Sequence, residues 1–322
     1  MVVIYGLPGI GKTTIAKAIF DLIAYRFEGS SFLEDVKENS RTKDGILQLK
    51  ETFYSEILGG RTLKVPGVFR RINVKMEMLQ HKRILLILDD VDKLIQIKNL
   101  LGECNRFALG SRIIITAREE KFLSTFQDDF RFTYYDYRVK ELDEHESRTL
   151  FCQHAFKRSK PKEDYLELVD SFIHYAKGLP LALEIIGADL HKRNTRSWKS
   201  ALEKYKRILN PDIQKVLKIS YDGLDQTQRD IFLDIACFLK GSNKDVVEHI
   251  LQSCNSYDPY YDIEILKDKS LIVFAKDGKL LMHDLIQQMG LEIVKQELEL
   301  SKKHERLICY DDAPEVLIPD TV

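Results

Sequence analysis

The residues with the plainest chemical purpose lie at the start of the chain, in GLPGIGKTT, Gly6 to Thr14. Gly6, Gly11, Lys12 and Thr13 match G-x-x-x-x-G-K-[ST], a spacing whose glycines let backbone amides curl around phosphate oxygens without Cβ clashes. Lys12 can reach β- and γ-phosphates and the Thr13 hydroxyl can ligate Mg²⁺. The helix that follows presents its positive N-terminus to the same anion; Pro8, Gly9, Ile10 and Thr14 fill the remainder of the run. The competing reading is a glycine-rich strand–helix turn with no ligand. A second run, RILLILDDVD, ends a buried strand in two acids. Asp89 is placed to hold Mg²⁺ in the manner of a Walker-B acid, and Asp90 to orient or activate an attacking water, unless one of the two merely caps the strand end. A third, GSRIIITAR, puts Arg118 where it can reach a γ-phosphate, although an arginine after a strand is more often solvated or ion-paired. Near the other end, LLMHDLIQQMG carries His283 and Asp284 where a strand hands over to a helix. Adjacent helical side chains diverge by roughly 100°, which disfavours a dyad. No second His or Cys at ligand spacing accompanies them, which disfavours zinc. The residues alone favour Asp284 as a helix cap complementing the dipole.

These groups need a scaffold. MVVIY, SSFLEDV, RILLILDD, SRIIITAR and DYRVKEL read as strands separated by helices, so the first part is α/β: a P-loop parallel sheet with helices on both faces. The first helix should bury Ile15, Ile19, Leu22, Ile23 and Phe27 on one face. From about Asp143 the period turns helical. EHESRTLFCQHAFK, EDYLELVDSFIHYAKG (stopped by Gly178), PLALEIIGADLHK (with Pro180 in its first turn) and RSWKSALEKYKRIL suggest a helical bundle. After Pro211, three further helical patterns precede a hairpin, SLIVFAKDGKLLMH, with Asp277-Gly278 as its turn, and a last helix. That order suggests a winged-helix domain. The expected divisions are 1–140, 141–210 and 211–322, the last ending in an irregular tail from residue 301. FLDIACFL reads as core, and Trp198 and the Tyr134-Tyr135 pair as packing residues.

Composition narrows the class. Lys+Arg at 49 nearly balances Asp+Glu at 50, so no global field favours nucleic acid or an acidic membrane. The wing carries only Lys276 and Lys279 against Asp277, which makes DNA an improbable partner. Five scattered cysteines (Cys104, Cys152, Cys237, Cys254, Cys309) without a CxxC pair fit reduced thiols in the cytosol or nucleus. The longest apolar run, ILLIL, is far short of the ~20 residues of a membrane span. The chain opens directly on a strand, without a signal peptide, as a fragment of a larger protein would.

GLPGIGKTT, LLILDDVD, GSRIIITAR, KGLPLAL, FLDIACFLKG and MHD, in this order, resemble the NB-ARC module of plant intracellular immune receptors. LDDVD ending in Asp92, together with FLDIACFLKG, resembles the subclass with an N-terminal TIR domain. The resemblance implies a switch, closed with ADP and oligomeric with ATP, hydrolysing slowly rather than serving metabolism. It implies flanking TIR and leucine-rich-repeat domains and self-association on activation. It assigns Gly6 to Thr14 to phosphates and magnesium, Asp89 and Asp90 to the Walker-B role, and Arg118 to sensing the third phosphate. It places Pro180 beside adenine and ribose and turns His283 toward the β-phosphate of ADP, with Asp284 both capping the helix and fixing that histidine. The family usually has Thr-Thr-Arg where this chain has Thr116-Ala117-Arg118, implying one hydroxyl fewer near the sensor. The alternatives are a P-loop kinase or other phosphotransferase, and a winged-helix NTPase regulator that binds DNA.

Overall fold

Val2–Tyr5 (β1), Gly29–Leu33 (β2), Ile84–Val91 (β3), Arg112–Ala117 (β4) and Tyr135–Arg138 (β5) pair in parallel, in the order β2-β3-β4-β1-β5. The structure, a computed structural model, describes residues 1–58, 79, 82–101, 107–119, 135–158, 160–254 and 257–301. Strand side chains alternate between two faces. Ile4, Leu85, Ile87 and Ile114 point to one cluster; Val3, Ile84, Leu86, Leu88, Ile113, Ile115 and Ala117 point to the other. Lys12–Ile23 (α1) covers the first face. Val36–Asn39 (α2), Lys43–Leu58 (α3) and Leu94–Leu101 (α4) cover the second. Both faces are therefore apolar, as the near-continuous Val/Ile/Leu strands predict.

Parallel pairing aligns the carboxyl ends of β1, β2, β3 and β4 along one edge, and every candidate phosphate or metal group of the first domain lies within the last residues of one of those strands or just past its end. Ala117 turns into the apolar cluster on the second face and is 1% exposed. The hydroxyl expected to be missing there would thus lie away from that edge's polar groups. Two expectations need correction. Leu22 is 70% exposed, because the buried stripe of α1 centres on Ala16, Ile19, Phe20 and Ile23 and leaves Leu22 at its margin. Tyr135 is 65% exposed, because β5 borders the sheet among the described residues and presents both its faces to solvent.

Glu144–Phe156 (α5) starts at a capping box between Asp143 and Glu146. Leu166–Ala176 (α6), Pro180–Leu190 (α7) and Thr195–Arg207 (α8) complete a bundle around Trp198, which is 1% exposed. Pro211–Asp222 (α9) and Gln226–Asp234 (α10) follow; α10 runs into a π-helical turn, Ile235–Leu239. Contrary to the core reading of all of FLDIACFL, Phe238 in that turn faces solvent, while Ile235, Ala236 and Leu239 are core. Lys244–Cys254 (α11), Tyr260–Asp268 (α12), the antiparallel hairpin Val273–Phe274 (β6) with Leu280–Leu281 (β7), and Asp284–Ser301 (α13) complete the winged-helix pattern. The wing turns at Asp277-Gly278 as expected, with Gly278 at φ 82°.

One apolar cluster runs unbroken from Ile4 in the sheet, through Trp198, to Val294 in α13. The three lobes are thus joined by core packing. Ser301, expected to open the irregular tail, instead ends α13; Cys104, Cys309, Tyr134 and residues 302–322 lie outside the described residues. Among the described residues no helix is long and apolar enough to cross a membrane.

Candidate functional site

After β1 the backbone takes positive φ at Gly6, Gly9 and Gly11, and α1 begins at Lys12. Gly9, at φ 77°, also admits α7: an added Cβ would lie 2.8 Å from the Leu181 side chain. The Leu181 amide donates to the Gly9 carbonyl at 3.2 Å, tying the second lobe to the loop. Helix α1 has no side-chain cap and no acid in its first turn. Its free amides and positive dipole end are therefore left for an anion.

Lys12 Nζ donates to the carbonyls of Gly6 and Leu7 at 2.8 and 2.9 Å. Burial, reinforced by the nearby Arg118 charge and opposed by Asp90 and Asp89, lowers its pKa to about 8. Thr13 Oγ1 donates to Asp89 Oδ1 at 2.8 Å, and Thr116 Oγ1 donates to the same oxygen at 2.6 Å. The Asp90 amide in turn donates to Thr116 Oγ1 at 2.8 Å. Asp90 sits at φ 51°, and the β3–β4 register slips between Leu88 and Val91. In a regular strand consecutive side chains point to opposite faces. The left-handed Asp90 breaks that alternation, so both acids line the same cleft.

Arg118 donates from Nε to Asp90 Oδ1 at 3.1 Å and from Nη2 to Asp90 Oδ2 at 3.3 Å. Its Nη1 is buried and, among the described residues, has no hydrogen-bond partner. A buried guanidinium nitrogen without an acceptor is costly unless an anion meets it. This orphaned donor, the glycine cradle and the uncapped helix end all fit a polyphosphate. Thr13 and Asp89 supply the oxygen donors that a Mg²⁺ ion takes from protein when phosphates and water provide the rest.

The cleft, of about 340 Å³, is lined by Pro8, Gly9, Gly11, Lys12, Thr13, Thr14, Asp89, Asp90 and Arg118 from the first lobe. Pro180 lines it from α7. Of the predicted residues, Gly6 contributes its carbonyl to Lys12, while Ile10 is 2% exposed and belongs to the core under the loop. Asp35, Thr116, Leu181, Glu184 and Val216 also line the cleft, and the sequence reading assigned none of them to it. Asp35 had a signal, an acid just past the end of a strand. It takes φ 49°, and burial together with Asp89 and Asp90 raises its pKa. Val216, on α9, had none, because only packing brings that helix over the loop.

His283 is not among the lining residues. Its Nε2 lies 3.3 Å from the Lys177 carbonyl, and its Nδ1 accepts the Leu285 amide at 3.2 Å. The network places the proton on Nε2. Burial lowers its pKa, against the pull of the Lys177 carbonyl, Glu141 and Asp284, so the ring is neutral at pH 7. His283 is therefore the N-cap of α13, and the expected cap, Asp284, instead occupies the first helical position. Asp284 is held by Lys240 at 2.5 Å and Lys177 at 3.7 Å. Burial favours its neutral form, but the Lys240 hydrogen bond and the two ammonium charges outweigh that and lower its pKa. It bridges the end of α6 and the π-helical turn.

The depressed Lys12 pKa has a measurable consequence. Below about pH 8 the ammonium is already charged; above it, a polyphosphate must recruit a proton to Lys12 as it binds. Affinity for a polyphosphate should fall by up to about tenfold per unit above about pH 8. Calorimetry in buffers of differing ionisation enthalpy should register proton uptake at about pH 9 and none at about pH 7.

A glycine cradle, a helix N-terminus, a hydroxyl–carboxylate pair and a half-buried arginine on one edge of a parallel sheet define a P-loop nucleotide-binding protein. The fold agrees: the Walker-type ATPase PABY2304 of Pyrococcus abyssi superposes with a TM-score of 0.62 at 16% identity, covering 90% of each chain. The chain belongs to the NB-ARC family, whose domain model matches residues 1–161. Residues 225–298 match the winged-helix domain of Roq1-like disease resistance proteins. TMV resistance protein N of Nicotiana glutinosa is 40% identical over 328 residues, spanning 99% of this chain and 27% of that protein. Disease resistance protein RPV1 of Vitis rotundifolia is 41% identical over 298 residues, spanning 92% of this chain and 21% of that protein. The chain is thus a nucleotide-binding module of the kind found in plant disease resistance proteins, and it spans about a quarter of the length of those relatives.

Proposed function

We propose that the module is a switch set by the terminal phosphate of a bound adenine nucleotide: off with ADP, on with ATP, returning by slow hydrolysis. The observation that carries this is a single cleft walled by three lobes, with Lys12 and Arg118 from the first, Pro180 from the second and Val216 from α9. A ligand contacting all of them favours whichever arrangement of lobes binds it better.

In this reading Gly6 to Thr14 hold the phosphates, and Thr13 with Asp89 holds Mg²⁺. The ion shields phosphate charge. Pro180 packs beside adenine and ribose. Arg118 turns its buried Nη1 to the γ-phosphate, and Asp90, when Arg118 leaves it, becomes free to orient a water. Asp284 holds the closed arrangement by joining α13 to Lys177 at the end of α6, and His283 holds it by leaving the Lys177 carbonyl for the β-phosphate when ADP is bound. The divisions at 140 and 210 are proposed as the hinges. In the full protein we propose TIR and leucine-rich-repeat domains on either side, self-association in the ATP state, and a cytosolic or nuclear location, in pathogen defence.

The test is chromatography of nucleotide released from purified protein. Wild type should yield about one ADP per chain. His283→Ala and Asp284→Val each remove one hold on the closed arrangement, and should shift occupancy to ATP by about tenfold, within the usual span of coupling between sites. Equal ADP content in wild type and both variants would refute the switch.

A further inference from the structure

The end of β4 is fastened to the winged-helix lobe by two contacts outside the cleft. Ser270 Oγ donates to the Arg118 carbonyl at 3.3 Å, and Lys269 Nζ pairs with Glu119 Oε1 at 2.7 Å. Lys269 and Ser270 close α12. The Leu271 amide reaches back to the Leu266 carbonyl and the Ser270 amide to the Lys267 carbonyl, the pattern of a helix end with a left-handed residue. Glycine suits that place, yet Ser270 holds it at φ 57° and is only 6% exposed. A serine there forgoes the easier backbone and gains the hydroxyl that meets Arg118.

Arg118 therefore works at both ends. Its guanidinium pairs with Asp90 in the cleft and keeps one nitrogen unmet, while its carbonyl and its neighbour Glu119 carry the winged-helix lobe. We propose that Lys269 and Ser270 form a latch on the phosphate-sensing end of β4, so that displacement of Arg118 toward a nucleotide's terminal phosphate loosens the winged-helix lobe by a route separate from His283. The inference rests on the switch reading above. Coupling is reciprocal, so cutting the latch must change nucleotide preference, and changing the nucleotide must change the latch.

The test uses this chain with Lys269→Glu, Glu119→Lys, the double exchange, and Ser270→Gly, reading ADP and ATP affinities by calorimetry and amide exchange across residues 117–119 and 269–274. Each single reversal places like charges together and should move the ATP-to-ADP affinity ratio at least about fivefold toward ATP. The double exchange should restore it to within about twofold. Ser270→Gly relieves the backbone and removes the hydroxyl, so it should raise thermal stability while shifting preference toward ATP; a merely structural serine would not move the two in opposite senses. Exchange at both segments should rise together in the single variants and fall together in the double one, with or without nucleotide. Wild-type ADP and ATP binding with unchanged ratios in the reversals would overturn the latch and leave the switch standing. Failure of the wild type to distinguish ADP from ATP would overturn the switch, and uncorrelated exchange would then overturn the latch on its own.

Discussion

Lys12→Ala should empty the cleft. The wild-type ammonium, already held between the Gly6 and Leu7 carbonyls, points into a site lined by Thr13, Asp89 and Arg118. Losing its charge-assisted bonds to phosphate costs about 3 kcal/mol, or more than about 100-fold in ADP affinity. Protein purified as this variant should release under about one-tenth of the wild-type nucleotide. The fold should survive, because the Lys12 ammonium ties only the two loop carbonyls of Gly6 and Leu7, and desolvation already disfavours its charge. The ligand-free melting temperature should therefore be unchanged or higher, which separates an emptied site from a collapsed one. Lys12→Arg would keep the charge but place a broad planar fork where a compact ammonium fits, and should recover only part of the affinity. Nucleotide retained by Lys12→Ala at the wild-type level would remove the phosphate assignment.

The largest loss of stability should come from Trp198→Ala. The indole lies 4.8 Å from the Tyr165 ring, 5.3 Å from Phe156 and 5.7 Å from both Phe151 and Phe172. Its Nε1 donates to the Leu190 carbonyl, the last residue of α7, at 3.0 Å. Truncation leaves a cavity at the centre of the bundle and costs about 3–5 kcal/mol. Trp198→Phe keeps most of the ring, forfeits the hydrogen bond and should cost roughly 1–3 kcal/mol. Urea titrations of both variants give the comparison. Because one apolar cluster joins the three lobes, the alanine variant should also weaken ADP binding through the helix that carries Pro180. Loss confined to stability, with ADP affinity unaltered, would show that the bundle and the cleft are energetically separate.

Much of this molecule was legible before any coordinate. The five strands, the P-loop, the proline opening α7 and the Asp277-Gly278 wing turn each depend on a few adjacent residues. Local sterics and local hydrogen bonds decide them. The sheet's two-sided burial followed from strands that are apolar without alternation. Leu22 and Tyr135 were misread for one reason: apolar character is a property of the residue, whereas burial requires a neighbouring element to cover it. The Asp284 cap failed for another. Residue type favours aspartate, but Lys240, 44 residues upstream, and Lys177 draw its carboxylate away, leaving the cap to His283.

What the amino-acid order by itself determined is therefore the set of chemical groups and the edge of the sheet on which most of them sit. The tertiary structure decided how they engage one another: the left-handed turn that brings Asp89 and Asp90 to one side, the hold of Asp90 on Arg118, and the approach of α7 and α9 to the glycine loop. The physical reason is range. Caps and turns are settled within a few residues, whereas a cleft among three lobes is settled by side chains up to about two hundred residues apart, whose meeting depends on how the whole core packs.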